Sequence, residues 1–305
     1  MRSGLMEQSS TPSAGIGAQP ERRLLQVEPQ AFRECFDRKP FFIGHHLVGS
    51  PLFELPRLLR LAQTLPEDDV EYNAGDIPVN QAPDSTPRNG LSAEETIRRI
   101  SQCKSWLVLK FVENDPDYRT LLHQCLAEVA LHSESIRPGM YLAQGFVFIS
   151  SPGSVTPYHM DPEHNFLLQI RGSKRIRLFD GHDPTILSAE ELEQHYRGAH
   201  RNLVFRDELE TKGWTFELEP GFGLHFPVTA PHYVKNGSEV SVSFSITFST
   251  PDIARRGEAH NFNAFLRRNG LRPAPVGRHP WRDHLKSFSF RAGRKVHRLL
   301  GGRTG

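Results

Sequence analysis

VTPYHMDPEHNFLLQIRGSKRIRLF, residues 155–179, is the stretch that decides the fold class. Residues 166–170 and 175–179 are short runs rich in apolar and β-branched or aromatic side chains, which predicts two strands. The link Arg171-Gly172-Ser173 between them has the length and composition of a tight turn. These features predict a hairpin.

Further short strands are predicted on both sides of this stretch. They lie at residues 39–43, 106–112, 146–149, 214–218, 224–226 and 240–248. Helices are predicted after the capping-box spacings Ser92-Ala-Glu-Glu95 and Ser188-Ala-Glu-Glu191, and over residues 118–132, where apolar residues recur at helical spacing. The pattern indicates a mainly β protein with flanking helices, built as an antiparallel sandwich or barrel.

The tripeptide His159-Met160-Asp161 is the first candidate for chemistry, because residues two apart on a strand face the same side. A 2-His-1-carboxylate metal site needs a second histidine from another strand. We select His232, which lies in a turn before a predicted strand. His225 is expected to be a core residue, and His164 a surface residue in a short polar connection.

Two further features leave alternatives open. Lys174 lies on the same strand face as Ile176 and Leu178. Its side chain is therefore either buried, where the ammonium group needs an anion, or it extends to water from the start of the strand. The last strand carries an apolar face and a hydroxyl face. The hydroxyl face either meets solvent or lines a polar cavity; it consists of Ser241, Ser243, Ser245 and Thr247.

Taken together, these motifs resemble the JmjC and cupin-like oxygenases. The resemblance rests on residues 153–179 and 219–248, and it extends in order over residues 24–250. Within the family, the sequence looks closest to the asparaginyl hydroxylase called factor inhibiting hypoxia-inducible factor. The resemblance implies a double-stranded β-helix, the metal Fe(II), the co-substrate 2-oxoglutarate and O2.

The resemblance also implies roles for individual residues. His159, Asp161 and His232 fall on the metal ligands. Four residues fall on the co-substrate pocket: Lys174 and Thr156 on the groups that hold the distal carboxylate of 2-oxoglutarate, Asn165 on an active-site asparagine, and Ser243 on a small polar lining residue.

The sequence departs from the family on the substrate side. Gly221-Phe222 replaces the usual Gly-Asp, and Ala230-Pro231 replaces aromatic residues before the distal histidine. These changes put an asparagine substrate in doubt, so the substrate is left as a small molecule or a protein side chain. The alternatives to an oxygenase are a cupin-like metal-binding protein with another activity and a regulatory, transcription-associated module.

Charge is unevenly distributed along the chain. Residues 253–305 contain 13 Lys and Arg against 2 Asp and Glu, whereas the preceding residues contain 24 against 33. We divide the chain into a disordered leader (1–22), the catalytic domain with a helical N-terminal part (23–252) and a basic helical extension (253–305). The extension is a candidate contact for nucleic acid, although a solvated appendage or homodimer element is favoured.

The remaining sequence features bear on location. The three cysteines are far apart and suggest no disulfide framework, and no apolar run is long enough to span a membrane. We therefore expect a cytoplasmic protein.

Overall fold

The computed structural model describes residues 23–82 and 86–299, so the expected disordered leader lies outside the described residues. The strands are β1 (Leu25–Gln26), β2 (Phe41–His45), β3 (Val70–Ala74), β4 (Ser105–Leu109), β5 (Tyr141–Ser150), β6 (Val155–His159), β7 (His164–Arg171), β8 (Lys174–Leu178), β9 (Trp214–Leu218), β10 (Phe222–Phe226), β11 (His232–Asn236) and β12 (Ser241–Ser249). The helices are α1 (Pro29–Cys35), α2 (Leu55–Thr64), α3 (Ala93–Arg98), α4 (Pro116–Ser133), α5 (Ala189–Tyr196), α6 (Pro251–Arg268) and α7 (Pro280–Leu299).

The strands form two antiparallel sheets. The larger has the order β1-β2-β10-β7-β12-β5-β4-β3, and the smaller has the order β6-β11-β8-β9. From β5 to β8 the chain alternates between the two sheets, and it alternates again from β9 to β12. This winding, with helices on the outside, gives the cupin-like barrel that the sequence predicts.

The predicted hairpin between β7 and β8 is wrong. β7 pairs with β10 and β12, whereas β8 pairs with β9 and β11, so the two strands lie in different sheets. The turn between them contains Gly172 at φ +64°, and a Cβ on this glycine would lie 2.6 Å from the carbonyl oxygen of Val240. The prediction of a tight turn is confirmed, but the turn takes the chain from one sheet to the other.

The two faces of the last strand, β12, border two different buried regions, the hydrophobic core and the inside of the barrel. Its apolar residues, including Phe244 and Phe248, are fully buried in the core formed with α1, α2 and α4. Its hydroxyl residues Ser241, Ser243 and Ser245 are buried on the opposite face, inside the barrel. The hydroxyl face therefore lies in the interior, and the solvent-facing alternative is excluded.

The basic C-terminal region contains the two helices α6 and α7. Arg267 of α6 bonds to Glu193 of α5, and Ser287 of α7 bonds to Glu258 of α6. The opposite side of α7 exposes Trp281, Leu285, Phe288 and Val296. Among the described residues, no helix is long and apolar enough to cross a membrane.

Replacing Gly172 tests the crossing between the sheets. Gly172→Ala is expected to lower the free energy of unfolding by about 3 kcal/mol, because it combines a left-handed backbone with a clash against Val240. The matched control is Gly153→Ala, at φ +69° with nothing within 4 Å of its Cβ, for which we expect a loss of about 1 kcal/mol. Urea unfolding measures both; equal losses would contradict the close packing of this turn.

Candidate metal centre

Pairing between two strands brings the candidate metal ligands together. His159 ends β6 and His232 begins β11, and the two residues are direct partners in the antiparallel ladder. Asp161 follows two residues after His159. Its Oδ2 lies 3.9 Å from His159 Nε2 and 3.8 Å from His232 Nε2, and the three ligand atoms all lie within 4.8 Å of one another.

Backbone carbonyls orient both imidazole rings. His159 Nδ1 lies 2.7 Å from the oxygen of Pro157, and His232 Nδ1 lies 3.0 Å from the oxygen of Ala230. Because a carbonyl oxygen only accepts, each Nδ1 carries the proton and each Nε2 presents a lone pair towards Asp161. Burial lowers the pKa of both histidines, so both rings are neutral.

Asp161 supplies the negative charge. Burial would raise its pKa, but the positive charges of His159, which is protonated only at low pH, and of Arg201 outweigh that effect and lower the pKa of Asp161 to about 2. Arg201 Nη1 lies 3.2 Å from Asp161 Oδ1, which leaves Oδ2 facing the two histidines. Two neutral imidazoles and one carboxylate on one side of a cavity fit a divalent iron site with open coordination positions.

The two other histidines considered as metal ligands, His225 and His164, are buried against Phe166 and Phe36 of the hydrophobic core. His225 is fully buried, bonds through Nδ1 to the oxygen of Asn165 and lies 4.6 Å from the ring of Phe166, as expected of a core histidine. The prediction that His164 lies on the surface is wrong. It is fully buried and stacks on Phe36 at 4.5 Å. His164 is the first residue of β7, and that strand is buried from this residue onwards.

Two of the three candidate metal ligands, His159 and Asp161, line a cavity of about 630 Å³. Thr156 and Asn165 line it, and Asn165 Oδ1 accepts a hydrogen bond of 2.7 Å from Ser245. Ser243 does not line it: this residue is fully buried and donates to Gln169. The hydroxyls of β12 that face the cavity are those of Ser245 and Thr247.

Lys174 lies inside the barrel. Only 4 % of it is exposed, and its Nζ lies 5.7 Å from the ring centre of Phe148, which lines the cavity. Burial lowers its pKa to about 7, and no charged group among the described residues offsets this effect. Of the two alternatives left open by the sequence, the interior position is the one observed, and the ammonium group has no protein anion beside it in the described part of the chain.

A family model for the cupin-like domain matches residues 92–253. The chain belongs to the cupin-like domain family. The match includes all three candidate metal ligands together with Lys174, and it covers β5 to β12, the strands that build the barrel.

Individual relatives match over shorter stretches. Jumonji C domain-containing protein 5 of Drosophila melanogaster is 32% identical over 107 residues, which is 33% of this chain and 26% of the relative. Lysine-specific demethylase 8 of Danio rerio is 30% identical over 102 residues, or 32% and 24% of the two chains. The chain thus matches about a quarter of the length of these curated relatives.

A solved structure supports the fold. The X-ray structure of YcfD from E. coli superposes with a TM-score of 0.51 at 16% sequence identity, covering 88% of this chain and 68% of that one. At this identity the likeness shows the fold alone.

Several cavity residues were missed by sequence reasoning. Arg201, Glu163 and His195 line the cavity, and burial together with Asp161 raises the pKa of Glu163 to about 8. Arg201 lies 40 residues after the aspartate that it contacts. Glu163 could have been suggested by its place two residues after Asp161, but Arg201 and His195 carry no spacing signal.

Lys174→Met is expected to stabilise the protein at pH 7 by roughly 2–5 kcal/mol. The folded state lowers the pKa of Lys174 from 10.5 to about 7. The unfolded state therefore binds more protons between these pH values, so wild-type stability rises with pH across this window and the advantage of the variant shrinks. Lys235→Met, at an exposed position on β11, is the matched control. Urea unfolding at pH 7 and pH 9 measures the effect; an unchanged stability at pH 7 would contradict an uncompensated ammonium.

Proposed function

We propose that this protein is an Fe(II)- and 2-oxoglutarate-dependent oxygenase of the hydroxylase type. One observation carries the proposal: three metal-binding side chains converge at a cavity in the barrel, and the barrel interior also contains a buried lysine that has no anion beside it among the described residues. A metal alone explains the first feature. A dicarboxylate co-substrate that binds the metal at one end and the lysine at the other explains both.

Each residue has a separate task in this proposal. His159, Asp161 and His232 hold Fe(II), while Lys174 and Thr156 hold the distal carboxylate of 2-oxoglutarate. Asn165 is an active-site amide that Ser245 orients through a hydrogen bond. Ser243 acts indirectly, because its hydroxyl bonds to Gln169 and lies outside the cavity.

The cavity sets the conditions for the reaction. Iron and 2-oxoglutarate held by these residues would supply the oxidising chemistry, in which one oxygen atom of O2 would go to the substrate and the other to succinate, with loss of CO2. The chain contributes placement and exclusion of water, because both histidine ligands, Asn165 and Lys174 are buried. The aromatic side chains Trp106, Phe146 and Phe148 form one wall of the cavity.

The names of the relatives support this proposal. One is called a Jumonji C protein and another a lysine-specific demethylase. A cupin-like metal-binding protein with a non-oxygenase or regulatory role is the alternative, and it leaves the buried charge of Lys174 without a purpose. The three cysteines are free thiols, which together with an Fe(II) site favours a reducing compartment, and we place the protein in the cytoplasm.

Removing any one metal ligand tests the proposal directly. Under anaerobic conditions, Fe(II) and 2-oxoglutarate together should give a charge-transfer absorption band in wild type. His159→Ala, Asp161→Ala and His232→Ala should each abolish it, because two remaining ligands hold iron weakly. His46→Ala is the matched control, since His46 is exposed and the only hydrogen bond of its imidazole among the described residues is to Gln26. Absence of the band in wild type would refute the proposed function.

Proton uptake tests the role of Lys174. Because burial lowers its pKa to about 7, the lysine is mostly neutral at pH 8, and binding of a carboxylate should draw about one proton from the buffer per site. The affinity for 2-oxoglutarate should fall up to about tenfold per pH unit above 7 and level off below it. Calorimetry at pH 8 in buffers of different ionisation enthalpy measures the uptake. Lys235→Met should behave like wild type; binding by Lys174→Met with the same proton uptake would assign the effect to another group.

A further inference from the structure

A second groove continues from the metal cavity towards the C-terminal helices. It has a volume of about 350 Å³ and lies between the first half of β5 and the helices α6 and α7. Pro162 and Glu163 line both the groove and the metal cavity, so the two spaces meet at these residues. The far side of the groove is formed by α7, through Phe290 and Arg294.

The same two strands form the floor of both spaces. Along β5, Phe148 and Phe146 line the cavity, and Gln144 and Leu142 line the groove. Along β12, Thr247 lines the cavity and Ser249 lines the groove. Thr247 and Gln144 are direct ladder partners, so the floor continues across the boundary.

The length of this floor indicates the size of the ligand. At about 3.4 Å per strand residue, the distance from Phe146 to Leu142 is roughly 14 Å. About four residues of an extended polypeptide span that distance, whereas a ligand the size of one amino acid, at about 3.5 Å per residue, is too short to occupy both spaces. The groove also mixes apolar side chains, Leu142 and Phe290, with the amide groups of Gln144 and Asn261, which suit a peptide backbone.

The backbone is strained where the groove begins. Leu142 has φ +49°, in the left-handed region that a residue with a bulky side chain rarely adopts, and the residue is 65% exposed. The β5–β12 ladder is irregular at the same level, between Thr247 and Ser249. Irregularities of this kind are common beside active sites, where they redirect a side chain. Here Leu142 is directed into the groove.

Arg294 brings a positive charge to the groove. Its guanidinium lies over the ring of Phe290, 5.8 Å from the ring centre, and it forms no ion pair within the part of the chain that the structure describes. Two acidic residues also line the groove: Glu163 lies at the boundary with the metal cavity, and Glu258 is engaged with Ser287 and Arg291. An unpaired cation at the end of an elongated groove favours an acidic group on the ligand.

We infer that this groove binds an extended segment of a polypeptide substrate whose reacting residue enters the metal cavity, with an Asp or Glu of the substrate beside Arg294. The inference rests on the proposed function and adds the substrate class to it. The basic C-terminal region thereby becomes part of substrate selection.

The test uses full-length protein loaded with Mn(II) and 2-oxoglutarate, which bind without turnover, and a random library of peptides of about 12 residues. Peptides retained by the wild-type protein should carry Asp or Glu at one position about three times as often as the starting library does. This is the ratio expected for one partly exposed ion pair. Arg294→Glu should replace this preference by one for Lys or Arg. Arg282→Glu is the matched control, because Arg282 is also exposed on α7 and lies over an aromatic ring, that of Trp281, but does not line the groove.

Several outcomes overturn the inference. These are an acidic preference that persists in Arg294→Glu, a preference that Arg282→Glu removes equally, and the absence of any retained peptide. Sedimentation provides one more outcome that would overturn the inference. If wild type and Arg282→Glu form an oligomer and Arg294→Glu does not, the groove binds a second copy of the chain. The charge-transfer band of wild type with Fe(II) is measured separately. A band without peptide selection refutes the inference alone, whereas a missing band refutes the proposed function.

Discussion

The ladder between β6 and β11 is the interaction on which the site depends. It makes His159 and His232 partners although 72 residues separate them in the chain. Each ring is then fixed by a carbonyl two residues before it, from Pro157 and Ala230. The spacing between histidine and carbonyl is local, but the distance between the two Nε2 atoms is set by strand pairing alone. Any change of register by one residue would turn one histidine away from the cavity.

The barrel also divides polar from apolar side chains within single strands. On β12, the apolar face belongs to the core beneath the N-terminal helices, and the hydroxyl face belongs to the barrel interior. Both faces are buried, so the usual rule that the polar face meets water does not apply. The hydroxyls stay satisfied because Gln169 and Asn165 of the neighbouring strand β7 accept from Ser243 and Ser245. This network holds Asn165 at the cavity and costs the fold little, since each buried polar group has a partner.

Lys174 illustrates the cost of a binding site. A buried ammonium without a protein anion destabilises the free protein, because burial removes water from the charge and nothing in the described chain replaces it. Under the proposed function, the co-substrate supplies the missing anion. The fold tolerates the lysine because Ile176 and Leu178 on the same strand face, together with Leu218 and Val234 of the adjacent strands, form an apolar cluster of their own.

The sequence by itself determined the positions of most strands and helices, because alternation, helical periodicity and capping residues are local. It also determined that Lys174 shares a strand face with two apolar residues, and which family the site resembles. Only the tertiary structure decided which strands pair: β7 and β8 separate into two sheets, and His164 moves from an expected surface position into the outer core. Arg201 and the groove beside α7 are likewise products of long-range packing. Contacts of this kind depend on which surfaces are complementary across the whole chain, and no short stretch of residues encodes that.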